Sequence, residues 1–265
     1  MLKVRVIPVM LWKQVGLVKG VGFDSWRRVG TAMPAVKVYN TREVDELMFM
    51  DITATDEGRA PDVAAIDELA AECFVPFTVG GGIRDLETIR ILLRSGADKV
   101  AINTAAYEMP DLVREASDRY GAQCVVAGID ARRDDDGSYL CYSHSGTRAT
   151  QHDPITWAKE LERLGAGEIL LTSIERDGAM NGYDLELIER VTRSVSIPVI
   201  AQGGAGNYAH LTAAIKTGAS AVAAASIFHF TEQTPAEAKA FMAKQGIPVR
   251  TTATHEPVSH DFGTF

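Results

Sequence analysis

Val75-Pro-Phe-Thr-Val-Gly-Gly-Gly82 is the stretch from which the fold follows. An apolar run of strand formers that ends in three glycines reads as a buried strand leading into a tight loop. The same pattern recurs 122 residues later as Ile197-Pro-Val-Ile-Ala-Gln-Gly-Gly204. At that offset Ser95-Gly-Ala-Asp-Lys-Val100 matches Thr217-Gly-Ala-Ser-Ala-Val222, and Asp45-Glu-Leu-Met-Phe49 matches Gly167-Glu-Ile-Leu-Leu171. An open doubly wound sheet has no need of such a repeat; two half-barrels of four units each explain it.

Working outward from these segments, strand candidates fall at 4–11, 46–51, 75–80, 98–103, 123–130, 168–174, 197–202 and 221–225. Helix-period stretches lie between them, for example 61–72, 85–95, 109–119, 154–164, 185–194 and 207–217. Strand-helix alternation gives a parallel sheet, and eight such units close into a (β/α)8 TIM barrel. The expected organisation is one barrel over residues 1–250, followed by a polar, aperiodic and mobile tail at 251–265.

The chain has 265 residues, 46% of them hydrophobic, and a net charge of -8. That balance opposes a general nucleic-acid binder, which would carry a basic surface. No apolar run reaches the roughly 18 residues of a membrane span, and the N-terminus has no apolar targeting core. Cys73, Cys124 and Cys141 form neither a metal pattern nor a disulfide set. The six histidines show no ligand spacing, so no metal and no cofactor are expected. These features read as a reduced, cytoplasmic protein.

In this fold the active site lies on the loops after the C-terminal strand ends. Gly80-Gly81-Gly82 and Gly203-Gly204 fall there, one in each half. Glycine lets backbone N–H groups approach an oxyanion closely, and a helix N-terminus behind them favours negative charge. Asn103-Thr104 and Ala225-Ser226, at the neighbouring strand ends, can complete each cradle. Asp177-Gly178 adds a turn beside the second. The plainer reading of the glycines is tight turns alone; two matched loops favour anion sites instead. Two such sites across one mouth suit a ligand with a phosphate at each end.

Asp130, at the end of the fifth strand in Gly128-Ile-Asp130, faces the centre of the mouth and can donate or accept a proton. Asp51 ends the second strand and either orients ligand hydroxyls or braces the rim. Lys19 lies in a flexible-looking first loop, Gly16-Leu-Val-Lys-Gly20, and either closes over substrate or is a solvated lysine. At the opposite end Arg5, Glu46, Lys99 and Glu168 each stand near a strand start. They can form an alternating ring of charge, which reads as a structural plug or as a gate over a channel.

These residues bring out a resemblance. Phe77-Thr-Val-Gly-Gly-Gly-Ile83, Asp98-Lys-Val-Ala-Ile-Asn-Thr104, Gly165-Ala-Gly-Glu-Ile-Leu-Leu-Thr-Ser173, Arg176-Asp-Gly178 and Gly203-Gly-Ala-Gly206 resemble the cyclase subunit family of imidazole glycerol phosphate synthase. The likeness extends over roughly residues 1–250. It implies a lyase-type cyclase subunit within a glutamine amidotransferase complex. A glutaminase partner docks at the N-terminal face of the barrel, and its ammonia passes through to a bis-phosphorylated ribulosyl intermediate at the top. The products are imidazole glycerol phosphate and an aminoimidazole carboxamide ribotide.

Carried over residue by residue, the resemblance makes Arg5, Glu46, Lys99 and Glu168 the ammonia gate. Gly82, Asn103 and Thr104 become one phosphate site, and Asp177, Gly178, Gly204 and Ser226 the other. Asp130 is the catalytic acid, Lys19 the loop lysine, and Asp98 and Gln123 lie near the partner. There is one departure: the family's first strand ends in a Cys-Leu-Asp type sequence, whose aspartate is the other half of the acid–base pair. Here the strand reads Pro8-Val-Met-Leu11. Leucine cannot transfer a proton, and loss of such a group typically costs roughly 10²–10⁴-fold. A set of paralogues without this aspartate conducts ammonia for amidino or acetamidino sugars of cell-surface polysaccharides, and is the alternative that the resemblance leaves open.

Overall fold

The computed structural model describes residues 3–250, apart from 15 and 43; the expected tail at 251–265 lies outside the described residues. The strands are β1 (Arg5–Lys13), β2 (Gly16–Val21), β3 (Asp24–Gly30), β4 (Leu47–Asp51), β5 (Phe77–Gly80), β6 (Lys99–Ile102), β7 (Val125–Arg133), β8 (Tyr139–Ser143), β9 (Arg148–Ala149), β10 (Glu168–Ser173), β11 (Val199–Gln202) and β12 (Ala221–Ala224). Among the described residues eight of them pair in parallel, in the order β1-β4-β5-β6-β7-β10-β11-β12, and β12 returns to β1. The ring closes as a (β/α)8 barrel, the architecture that the repeated glycine segments imply.

Period-two alternation divides the apolar residues into two cores. Ile7, Val9 and Leu11 of β1 point into the barrel with Met48, Ala101, Val126, Leu170, Ile200 and Ala223. Val6 and Met10, one residue out of phase, face the helical layer with Phe49, Phe77, Val79 and Ile102. A one-residue slip would exchange the two sets, which fixes the register.

Several helices start where a short polar side chain satisfies a free N–H. Asp85 accepts from the Thr88 N–H at 2.7 Å, and Asp184 from that of Leu187 at 3.0 Å. Such caps contribute about 1 kcal/mol each. Among the described residues two antiparallel insertions, β2–β3 and β8–β9, depart from the plain eightfold pattern. The segment expected as a flexible first loop is a strand, β2, paired antiparallel with β1 and β3. Its turn places Gly22 and Phe23 at φ 61° and 64°, the doubly left-handed geometry that suits the strand twist of a two-residue hairpin. The fifth barrel strand also runs past Asp130 to Arg133 and turns back as β8, so Asp130 lies within a strand.

Candidate active site

At the C-terminal ends of the strands a mouth open to solvent holds a cavity of about 120 Å³. Asp51, Gly82, Asn103, Thr104, Asp130 and Asp177 all line it, so one mouth gathers carboxylates and loop residues of both halves. A smaller recess continues from it along Gly178, Gly203, Gly204 and Ser226; Leu11, Asp177 and Gln202 belong to both.

Asp130 stands at the centre. Asn103 Nδ2 donates to its Oδ2 at 2.7 Å. Burial pushes its pKa up to about 7, with nearby Asp177 adding to the rise while hydrogen bonds from Thr172 and Asn103 oppose it. A carboxyl so poised holds or releases a proton near neutrality, which is what a general acid or base requires.

Asp51 is tied to the rim. Arg59 clamps it through Nη1 to Oδ2 at 2.6 Å and Nη2 to Oδ1 at 2.9 Å, and the Ala54 N–H donates to Oδ1 at 3.1 Å. Of its two expected uses, the contacts made by the chain itself are those of a brace. Nothing in the sequence around Arg59 marks it; its importance comes from the fold of the loop after β4.

The glycines at both strand ends are set by close approach. A Cβ on Gly81 would lie 2.0 Å from the Asp51 carbonyl oxygen, and one on Gly204 2.2 Å from that of Gly182. The first cradle is partly self-satisfied: the Gly82 N–H donates to Thr55 Oγ1 at 3.2 Å, and Thr104 Oγ1 accepts from the His144 N–H at 3.0 Å. In the second, Ser226 is buried at the start of the helix Ser226–Phe230.

Lys19 is buried on β2, 3% exposed, with no hydrogen-bond acceptor at its Nζ. Burial lowers its pKa to about 8, and the neighbouring Asp177 carboxylate limits the fall. The hairpin sits on the second cradle: the Gly22 N–H donates to the Asp177 carbonyl at 2.9 Å. The solvated-lysine alternative therefore does not describe this side chain. Leu11 is 7% exposed and lies in the mouth where β1 meets β2 and β4. No carboxylate takes its place in β1, whose following residues are Trp12 and Lys13.

The other end of the barrel carries the four charges as a closed circuit. Arg5 bridges Glu46 and Glu168 at 2.6 Å each, and Lys99 Nζ reaches the same two at 3.0 and 2.9 Å. Thr78 donates to Glu46 at 2.7 Å, completing the bonding of a nearly inaccessible carboxylate. Asp98 is exposed at the start of β6, accepting from the Phe77 N–H at 2.8 Å, and Gln123 is exposed below β7. Among the described residues no group of three His, Cys, Asp or Glu side chains is placed to hold a metal ion. No helix among them is long and apolar enough to cross a membrane.

Residues 5–234 match the family described as Histidine biosynthesis protein. The chain is 47% identical over 252 residues to the imidazole glycerol phosphate synthase subunit HisF of Geobacillus thermodenitrificans, a match covering 94% of this chain and 100% of the relative. It is 49% identical over 255 residues to the HisF subunit of Caulobacter vibrioides strain NA1000, covering 96% and 98%. Relatives so named do not favour the sugar-amidating alternative, and nothing in them supports a role in polysaccharide synthesis.

Proposed function

This chain belongs to the histidine biosynthesis protein family, and we propose that within it the barrel is the cyclase subunit of an imidazole glycerol phosphate synthase. One observation carries the reading: two glycine cradles and Asp130 share a mouth that lies on the same barrel axis as the Arg5–Glu46–Lys99–Glu168 ring. A bis-phosphorylated ribulosyl intermediate spans the mouth, with one phosphate at Gly82, Asn103 and Thr104 and the other at Gly178, Gly204 and Ser226. Lys19 brings a cation to the second. A glutaminase partner docks at the N-terminal end of the strands, beside Asp98 and Gln123, and its ammonia enters through the ring. The barrel interior above the ring is apolar, from Ile7, Val9, Met48, Val126 and Ile200. Such a lining admits neutral ammonia and disfavours ammonium, whose charge resists desolvation.

Asp130 then handles the protons of amine addition and ring closure, held by Asn103 in a part-desolvated place. Leu11 leaves the second carboxylate out, so turnover rests on one acid–base group. A steady-state assay with ammonium salt and the bis-phosphorylated ribulosyl intermediate tests this. The natural chain is expected to turn over slowly, and Leu11→Asp to accelerate it on the order of 10²-fold. Absence of product with both chains would refute the cyclase reading.

A further inference from the structure

Asp45 lies one residue before Glu46, and its carboxylate is not one of the four charges of the ring. The β1–β4 ladder runs from Val9 and Met48 upward. Below it the Asp45 side chain takes the place of a ladder acceptor: the Val6 N–H donates to its Oδ2 at 2.9 Å. Asp45 thus ties the residue after Arg5 to the residue before Glu46, at the corner where those two side chains form their 2.6 Å bridge. Its other oxygen meets Lys239, whose Nζ lies 3.2 Å from Oδ1, and both side chains are buried. A carboxylate kept from water needs a cation to hold its charge.

Lys239 belongs to the helix Pro235–Lys244, which is fixed at both ends. At its start Thr234 and Glu237 bond reciprocally as a capping box. Beyond its end the Pro248 carbonyl accepts from the Val4 N–H at 2.7 Å, at the foot of β1. The lysine therefore reaches the corner from a rigid support. The second half-barrel is built differently. Gly167 stands at the repeat position of Asp45. Its N–H donates to the Val125 carbonyl at 3.0 Å, and a Cβ there would lie 2.1 Å from the Ala122 carbonyl oxygen. Close backbone contact leaves no room for a side chain, so the clamp exists on the Glu46 side of the ring and not at the matching place before Glu168.

We propose that Lys239 is a positioning residue of the charge ring: through Asp45 it holds the Arg5–Glu46 corner in place. The assignment rests on the ammonia-gate reading of the ring and adds to it which edge stays fixed. Without the lysine, Asp45 is a buried carboxylate short of its cation, and the strand starts that carry Arg5 and Glu46 lose their common tie.

The test uses the full chain in complex with a glutaminase and compares product formed per glutamine hydrolysed with ammonium-dependent turnover. Lys239→Met should lower the first severalfold and leave the second in place, and Lys239→Arg should restore the first. Asp45→Asn breaks the same pair from the other side and gives the comparison if the Met variant does not fold. In the free chain the guanidinium NMR signals of Arg5, kept distinct in the parent by two carboxylate partners, should merge in Lys239→Met. Unchanged Arg5 signals overturn the proposal whatever the turnover. Equal loss of both activities, or of neither, overturns the role of Lys239 alone where Lys99→Met still separates them. If Lys99→Met separates nothing either, the gate reading fails and this proposal with it.

Discussion

Asp130 is the residue whose chemistry depends most on its surroundings. Its carboxyl rises from 3.8 to about 7, so in that window the folded chain holds a proton that the unfolded chain releases. The associated stability is fully present below the unfolded value and is lost as pH rises through about 7. Asp130→Asn, which cannot ionise, should therefore gain stability relative to its parent between about pH 5 and about pH 8. Urea unfolding at both values checks this; an offset independent of pH would contradict it. Arg59 makes a different prediction. Asp51 is nearly inaccessible and depends on the guanidinium fork, so Arg59→Met should cost roughly 1–3 kcal/mol by leaving a buried acceptor unpaired. An unchanged denaturation midpoint would show that Asp51 does not need the clamp. Asp130 and Asp51 were legible because strand-end carboxylates in a barrel face the mouth. Arg59 and Lys239 were not, because what marks them is a partner gained in space.

The β2–β3 hairpin is the element that sequence patterning misread. Gly16 and Gly20 suggest a loose loop, and Phe23 at positive φ is no common turn signal. Pairing with β1 and the seat on Asp177 make it ordered structure. That seat is tight: Gly178 has φ +71°, and a Cβ there would lie 2.0 Å from the Gly20 carbonyl oxygen. Gly178→Ala is thus expected to lift the hairpin and free its backbone for trypsin cleavage at Arg27 and Arg28, whose side chains are already exposed. Cleavage there as slow as in the parent would show that the hairpin tolerates the added methyl group. By contrast β5 and β11, with the helices after them, were readable from a few residues, since apolar runs, caps and glycine turns are local devices.

At the scale of the molecule, two half-barrels stack an ion circuit, an apolar interior and a glycine-rimmed mouth along one axis. The ring allows a discriminating measurement in the complex with a glutaminase. Lys99→Met should lower glutamine-dependent turnover while ammonium-dependent turnover persists, because only internally delivered ammonia crosses the ring. Equal loss of both, or of neither, would return the four charges to a structural plug. Sequence alone determined the barrel class, its duplication and the position of both glycine cradles, because strand period, glycine punctuation and a fixed repeat offset are written within short windows. It also exposed Leu11 at the end of the first strand, since a missing carboxylate is visible as a letter. Tertiary structure decided the rest. Arg5 meets Glu168 across 163 residues of chain, Lys19 is buried by a hairpin closing over the second cradle, and Lys239 reaches Asp45 from the helix Pro235–Lys244. Those facts depend on distances, burial and hydrogen-bond supply, which exist only once remote segments share one mouth.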